Sequence, residues 1–275
     1  MNPFLVSVPA AVLATAGVAA YGAAYPRSQI FGPTICWTNS PKKLAITFDD
    51  GPNPAITPKL LDLLDRYQAK ATFFLIGRFV RECPDLVKET VARGHSLGNH
   101  THTHPNLAWL SAARIAQELC VCQETIADVV GTGPKWFRPP YGFRNPWVAP
   151  AAAALGCQTV MWTLIPGDWK EKSAEWLIER MNPIATHAQR SLGATARESL
   201  VGHSERSEES GSGFGMAGNG SKEAKVRKGD ILCLHDGGHR GLNADRTHTL
   251  AALEYWLPRW HDLGLEFVTM DQAVR

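Results

Sequence analysis

The chain has 275 residues, of which 44% are hydrophobic and 20% are charged, and its 28 Lys and Arg against 26 Asp and Glu give a net charge of +2. This composition excludes a disordered chain and a globally basic nucleic-acid-binding protein, and it favours one large α/β domain with a neutral substrate. Six cysteines are too few and too scattered for a disulfide-stabilised miniprotein.

The N-terminal segment is apolar: residues 4–25 carry no charged side chain. About 20 apolar residues can span a bilayer, so three interpretations of residues 1–25 are open: a membrane anchor, a cleaved signal and a buried helix. The first two predict a protein that is membrane-anchored or secreted and faces the cell envelope, with its orientation left open. Residues 26–42 are predicted to be a linker.

From residue 43 onward, short apolar runs alternate with segments of helical periodicity, which is typical of βα units around a parallel sheet. The predicted strands are 44–48, 71–76, 96–97, 158–163, 230–234 and 265–269. Two predicted helices carry apolar stripes that indicate core-facing sides, namely Ile115, Leu119, Cys122, Ile126 and Val129 in one and Leu250, Leu253, Leu257 and Trp260 in the other.

Residues 186–228 interrupt this alternation. They are rich in serine and glycine, and the stretch 203–210 looks like a translated intergenic repeat. A segment with so few large apolar side chains cannot bury enough surface to fold by itself. We therefore predict a disordered surface insert within a catalytic domain that spans residues 43–275.

Two adjacent carboxylates, Asp49 and Asp50, follow the first predicted strand and precede Gly51-Pro52. Neighbouring side chains of a strand point to opposite faces, so both can reach one pocket only where the strand ends. Two ionised carboxylates so close together repel, and binding a cation at one of them relieves this repulsion. The alternative interpretation is an Asx turn that merely closes the strand.

Three histidines lie within residues 100–104. His100 and His104, at i and i+4, lie on one face of a helical turn if this segment is helical, and two imidazoles so placed can bind one metal. A solvated loop is the alternative. Two His together with one Asp are the ligands of an open zinc site of the kind that hydrolases use.

Residues 136–142 are predicted to form a rigid turn that contains one positively charged side chain. Pro139 and Pro140 restrict the backbone, so that Arg138 and the amide of Tyr141 are held in place. An immobilised guanidinium suits a carboxylate partner, although a purely structural ion pair is the alternative.

Trp162 lies near the end of a predicted strand, Asp168 follows it by six residues, and His235 ends the strand 230–234. Parallel βα folds place functional groups at the carboxyl ends of their strands, although a histidine there can also be a core residue. A hydrogen bond from His235 to Asp168 would raise the pKa of the imidazole and favour a general acid.

Together these motifs resemble the NodB-homology polysaccharide deacetylases, carbohydrate esterase family 4, over about residues 41–275 without the insert. The matching sequences are Thr-Phe-Asp-Asp-Gly-Pro, His-Thr-x-x-His, Arg-Pro-Pro-Tyr-Gly, Asp-Trp and Leu-His-Asp. The resemblance implies an α/β fold, a distorted (β/α) barrel with an incomplete set of βα units. It also implies removal of N-acetyl groups from a GlcNAc-containing polysaccharide, peptidoglycan-like or chitin-like.

The resemblance further implies a divalent cation, usually Zn²⁺, held by Asp50, His100 and His104. It implies that Asp49 is the general base oriented by Arg138, that the Tyr141 amide lies in the oxyanion site, and that His235 is a general acid tuned by Asp168. The predicted substrate contacts are Trp162, Pro139 and Tyr141. One departure is Ile165, at a position where the family often has Asp.

Two alternative functions are open at this point: a cyclic-amide hydrolase that acts on a small molecule, and a non-catalytic carbohydrate-binding protein of the envelope. The predicted partner is an N-acetylated glycan, with no nucleic acid, with membrane contact through the N-terminal segment and with a monomeric chain.

Overall fold

A curled sheet of eight strands organises the chain in the computed structural model, which describes residues 4–204 and 228–275. The strands are β1 (Trp37–Thr38), β2 (Lys43–Gly51), β3 (Ala71–Leu75), β4 (Ser96–Asn99), β5 (Trp136–Phe137), β6 (Gln158–Thr159), β7 (Gly229–His235) and β8 (Glu266–Phe267). The helices are α1 (Phe4–Ala24), α2 (Thr57–Arg66), α3 (Gly77–Glu82), α4 (Pro84–Ala92), α5 (Ala112–Val130), α6 (Val148–Ala154), α7 (Ala174–Ser204), α8 (Thr247–Asp262) and α9 (Met270–Ala273).

The strand order is β1-β7-β2-β3-β4-β5-β6, with β8 paired to β2. Only β1 runs antiparallel to its neighbour among the described strands. Isolated bridges join Ile35 to Val160 and Leu164 to Leu232, and they bring the β6 end of the sheet towards β1 and β7. This curled sheet with flanking helices confirms the predicted distorted barrel.

The six predicted strands are all present, although the strand predicted at 158–163 is reduced to β6 and a bridge. Two short strands that the sequence did not reveal, β1 and β5, complete the sheet. Each has only two residues, which is too short for an apolar alternation to show.

Both predicted helical stripes face the core. In α5, Ile115, Leu119, Cys122 and Ile126 are buried, and in α8, Leu253, Leu257 and Trp260 are buried. Ser111 caps the start of α5 through its hydroxyl, and Gly131, with φ of +81°, ends the helix in the left-handed conformation.

The predicted linker is wrong, because residues 26–42 pack as part of the domain. Arg144 is buried and donates hydrogen bonds to the carbonyls of Tyr25 (2.6 Å) and Ser28 (3.2 Å). β1 adds a strand to β7, and Cys36 beside it is buried. These contacts come from residues more than one hundred positions away, so the local sequence does not display them.

The predicted insert needs a corrected start. α7 continues to Ser204, so residues 186–204 are helical rather than irregular. Its first part packs on the core through Ile184, Ala185 and Ala188, and His187 lies 2.6 Å from Asp230 of β7. Because serine and glycine are frequent in the rest of the segment, its average composition did not indicate that it begins as a helix. Residues 205–227 of the predicted insert lie outside the described residues.

The N-terminal segment forms α1, and residues 14–21 of this helix are exposed, so the interpretation as a buried helix is wrong there. Within residues 4–204 and 228–275, no helix combines the length and apolar character needed to cross a membrane.

Candidate active site and metal centre

The carboxyl ends of β2, β4 and β7 open into a cavity of about 770 Å³. Most of the predicted site residues line it, namely Asp49, Asp50, His100, His104, Tyr141, Trp162 and His235. Arg138 and Asp168 lie fully buried behind this surface. The parallel strands therefore bring motifs that are far apart in the sequence to one edge of the sheet.

Asp49 and Asp50 both line the cavity although β2 continues through them to Gly51. The pairing of β2 with β3 shifts register between Asp49 and Gly51, and Asp50 has a φ of +69°. A bulge of this kind re-aims one side chain, so neighbouring residues can share a face. The convergence of the two carboxylates thus arises from a bulge rather than from the end of the strand.

His100 and His104 converge through a loop, and the predicted helical turn is wrong. Thr101 and His104 have φ of +68° and +62°, which no right-handed helix contains. Asn99 Oδ1 accepts a hydrogen bond from the Thr101 amide at 2.9 Å, and Thr101 Oγ1 accepts one from the His104 amide at 3.1 Å. These local bonds compete with the helical hydrogen bonds and fix the loop.

The loop is also held by a buried carboxylate that sequence reasoning missed. Glu118 of α5 accepts hydrogen bonds from the backbone amides of His102 (3.1 Å) and Thr103 (2.8 Å) and from the Thr103 hydroxyl (2.8 Å). A signal was available, because Glu118 lies between Ile115 and Leu119 on the apolar stripe of its helix, where a charged residue needs a partner.

Asp50, His100 and His104 fit a divalent cation. Their ligand atoms all lie within 4.8 Å of one another, and Asp50 Oδ1 is 3.1 Å from His104 Nε2 and 3.6 Å from His100 Nε2. That oxygen is buried and has no hydrogen-bond partner among the described residues. A buried carboxylate oxygen that faces two imidazoles and accepts no hydrogen bond is suited to bind a cation together with them.

The electrostatics of the three residues agree with this assignment. Burial lowers the pKa of His100 to about 4, so its imidazole is neutral near neutral pH. Its Nδ1 lies 2.7 Å from the Arg138 carbonyl, which directs the Nε2 lone pair towards Asp50. Burial opposes ionisation of Asp50, but His104, His235 and His100 hold its pKa below the ordinary value.

Asp49 is bound on one side by Arg138. The Nη1 of this buried guanidinium donates hydrogen bonds at 2.7 Å to both Asp49 Oδ1 and Thr47 Oγ1. Its Nε and Nη2 donate to the carbonyls of Val160 (3.3 Å) and Met161 (3.2 Å). The carboxylate is therefore fixed in orientation.

On its other side, Asp49 contacts a cysteine that sequence reasoning missed. The Cys233 thiol donates a hydrogen bond to Asp49 Oδ2 at 3.4 Å, and burial together with the Asp49 charge raises its pKa well above the ordinary value. The signal was the strand period of two, which places Cys233 on the same face as His235. Asp49, Cys233 and His235 also gather their ligand atoms within 4.8 Å, but a protonated thiol and an Arg-paired carboxylate suit proton transfer better than a cation.

His235 and Asp168 form the predicted pair. The His235 Nδ1 is 2.8 Å from Asp168 Oδ1, and the His235 amide donates to Asp168 Oδ2 at 2.7 Å. Although burial alone lowers the pKa of His235, the charge and hydrogen bond of Asp168 outweigh it and raise the value to about 9. The imidazole is consequently protonated near neutral pH.

The predicted substrate contacts divide into two groups. Tyr141, with φ of +59°, and Trp162 line the cavity, whereas Pro139 is buried beside it and is not part of its lining. Gly142, with φ of +72°, packs so closely that a Cβ there would lie 2.6 Å from Trp162 Cη2. Only glycine therefore lets the indole reach its place on the wall.

The segment 238–246 forms another wall of the cavity, and sequence reasoning did not assign it a role. His239 stacks on His104, with ring centroids 4.6 Å apart, and Tyr141 contacts His239 edge-on at 5.5 Å. The position of this segment just after β7, at the functional edge of the sheet, was a signal that could have identified it.

Comparisons with known proteins agree on one family. The sequence profile described as "Polysaccharide deacetylase" matches residues 38–160. The chain is 35% identical over 237 residues to a peptidoglycan-N-acetylglucosamine deacetylase of Bacillus cereus, covering 86% of this chain and 90% of that protein. It is 29% identical over 237 residues to a chitooligosaccharide deacetylase of Azorhizobium caulinodans, covering 84% and 93%.

A solved structure agrees as well. A peptidoglycan N-acetylglucosamine deacetylase, crystallised with an N-hydroxybenzamide compound, superposes with a TM-score of 0.64 and 27% identity. The superposition covers 88% of this chain and 92% of that one.

The contact between Glu118 and the histidine loop predicts that Glu118→Ala weakens the binding of a divalent cation, tested here with Zn²⁺. Loss of an outer partner typically costs about 10–100-fold in metal affinity, and here it releases both backbone amides that hold the loop. Competition with a fluorescent zinc chelator measures the dissociation constant. Glu124→Ala, an exposed position on the same helix, is the matched control and keeps wild-type affinity. Equal zinc affinity in both variants contradicts the role of Glu118.

Proposed function

Because this chain belongs to the polysaccharide deacetylase family, we infer that it hydrolyses N-acetyl groups on a GlcNAc-containing polysaccharide and releases acetate. This inference is supported above all by one observation. A single cavity contains an Asp-His-His metal site, a carboxylate bound by Arg138 and a histidine bound by Asp168. A carbohydrate-binding protein without catalysis needs no such pairing of acid and base. The relatives that cover most of this chain are deacetylases, which also speaks against a cyclic-amide hydrolase.

We propose that the cation is Zn²⁺, since two imidazoles and one carboxylate suit zinc or another divalent transition metal. The cation would be held by Asp50, His100 and His104. When bound at such a site, a divalent cation acts as a Lewis acid towards a carbonyl and makes water more acidic.

The residues of the chain then divide the proton transfers between them. Asp49, held in orientation by Arg138, takes a proton from the attacking water as that water forms a bond to the acetyl carbon. The Tyr141 amide donates a hydrogen bond to the oxygen that becomes negatively charged. His235 delivers its Nε2 proton to the amide nitrogen as the C–N bond breaks, so the products are acetate and a free amino sugar.

The remaining groups position these reactants. The Cys233 thiol holds the second oxygen of Asp49, and Asp168 holds His235 Nδ1 so that Nε2 carries the mobile proton. Trp162, fixed by its contact with Gly142, forms an apolar wall beside the small acyl group.

The inferred activity predicts that the purified, zinc-loaded chain releases acetate from peptidoglycan or chitin oligomers. Asp49→Asn lowers the rate by about 10²–10⁴-fold, since general base catalysis is worth that much, while zinc content stays near one equivalent because Asp49 is not a predicted ligand. An enzyme-coupled acetate assay and metal analysis measure the two quantities. Near-normal activity of Asp49→Asn would contradict the assignment of Asp49 as the general base.

The pair of His235 and Asp168 predicts a shift in the pH profile. A general acid works only while protonated, so activity falls as pH rises through the pKa of His235. Asp168 makes the largest contributions that raise this pKa, so the pKa drops when the Asp168 charge is removed. Asp168→Asn should therefore move the alkaline limb of kcat/KM to lower pH by about one unit or more. Asp230→Asn, which alters the remote pair with His187, is the control, and an unmoved limb in Asp168→Asn refutes the tuning role.

We also propose that the protein acts on the outer side of the cytoplasmic membrane, facing the cell envelope. Support comes from the relatives named for peptidoglycan, a polymer that lies there. Protease added to intact spheroplasts should then degrade the cell-associated protein, or the protein should be found in the medium. A chain that is protected until the cells are lysed contradicts this location.

A further inference from the structure

Two arginines line the cavity and a third stands behind them. Arg240 and Arg246 belong to the segment 238–246 and form part of the cavity wall. Arg78 of α3 donates a hydrogen bond through Nη2 to the carbonyl of His239, the neighbour of Arg240. We call these three residues the arginine wall.

The arginine wall forms no salt bridge within the described part of the chain. Among the ion pairs of residues 4–204 and 228–275, none involves Arg78, Arg240 or Arg246. In addition, Arg78 Nε and Arg246 Nε are buried without a hydrogen-bond partner. Neither of these two guanidinium groups therefore has all of its donors satisfied by the described residues.

Two of the acids near this wall belong to other parts of the site. Asp49 is bound to Arg138, and Asp50 belongs to the metal site. Asp236, behind the cavity, accepts a hydrogen bond from Thr57, and Asp245 accepts one from the Thr247 amide. Arg246 helps to lower the pKa of Asp245, so this acid offsets part of the Arg246 charge, whereas Arg240 lines the cavity without a salt bridge to any described residue.

We propose that the arginine wall binds a carboxylate carried by the sugar next to the reacting GlcNAc, so that the preferred substrate is an acidic rather than a neutral glycan. Guanidinium groups suit this role because they bind carboxylates with two parallel hydrogen bonds and remain charged at all relevant pH values. Arg240 is exposed and lines the cavity, so its guanidinium is available to a sugar next to the one that reacts.

This proposal rests on the proposed deacetylation and narrows its substrate class. The net charge of +2 by itself favoured a neutral substrate, and the proposal replaces that expectation with an acidic one. A low net charge does not exclude a local cluster of three cations.

The test compares two oligosaccharides that differ in one group. The first is a peptidoglycan tetrasaccharide with free lactyl carboxylates, and the second is the same tetrasaccharide with these carboxylates reduced to alcohols. The intact zinc-loaded chain should show a kcat/KM about tenfold or more higher for the carboxylated form, since hydrogen bonds between charged groups are strong. Added salt should reduce this preference, because Arg240 is solvent-exposed.

Arg240→Gln should shrink the ratio of the two kcat/KM values several-fold. Arg259→Gln, an exposed arginine of α8 remote from the cavity, is the matched control and keeps the wild-type ratio. Equal kcat/KM for the two tetrasaccharides in the wild type, or an unchanged ratio in Arg240→Gln, overturns the arginine wall as a carboxylate site. Acetate release from both forms at equal rates leaves the deacetylase function intact.

If neither oligosaccharide releases acetate, the proposed deacetylase function is wrong. A binding measurement then tests the arginine wall separately. Calorimetric titration of the full chain with the same two tetrasaccharides at low and high salt measures the affinities. Tighter, salt-sensitive binding of the carboxylated form supports the wall, and equal affinities overturn it.

Discussion

A buried guanidinium sets the geometry of the whole site. Arg138 is fully buried at the end of β5, and a charge removed from water destabilises the fold unless its donors find acceptors. Those acceptors are Thr47 and Asp49 on β2 and the carbonyls of Val160 and Met161 beyond β6. Because these groups lie on separated strands, the cation is satisfied only when the sheet curls. One interaction thus couples closure of the barrel to the placement of the base.

The other constraint is backbone conformation. Asp50, Thr101, His104 and Tyr141 all adopt φ between +59° and +69°, a region that costs a non-glycine residue roughly 1–2 kcal/mol. Such conformations persist only where surrounding contacts over-determine them, and they cluster at functional sites. Here the bulge in β2 and the bonds from Glu118 supply those contacts. The chain therefore uses its packed framework to hold a few reactive groups in conformations that they do not favour by themselves.

The sequence predicted the chemistry of the site better than its geometry. Residue types such as Asp49, His100 and His235 are local information, and their positions at strand ends follow from apolar runs that a reader can see. The helical turn at the histidines was wrong because the loop is shaped by Glu118, which lies fourteen or more positions away. Cys233 and the arginine wall were missed for the same reason, since their significance depends on partners that only folding brings near.

The boundaries of the domain show the same limit. Composition separated residues 26–42 from the rest, yet Arg144 ties that segment to the loop before α6. Likewise, the serine and glycine content of residues 186–228 concealed the continuation of α7. The average composition of a sequence window indicates solubility and flexibility. Whether the segment packs as part of the domain is decided by individual long-range contacts.

The unsatisfied oxygen of Asp50 has a consequence for the thermodynamics of the whole protein. An anionic atom buried without a partner destabilises the native state, and a ligand that binds only the native state removes that penalty. By linkage, each tenfold rise in the free cation concentration above the dissociation constant raises the free energy of unfolding by about 1.4 kcal/mol. Folding stability and catalytic competence then depend on a single variable, the chemical potential of the metal in the surroundings of the protein.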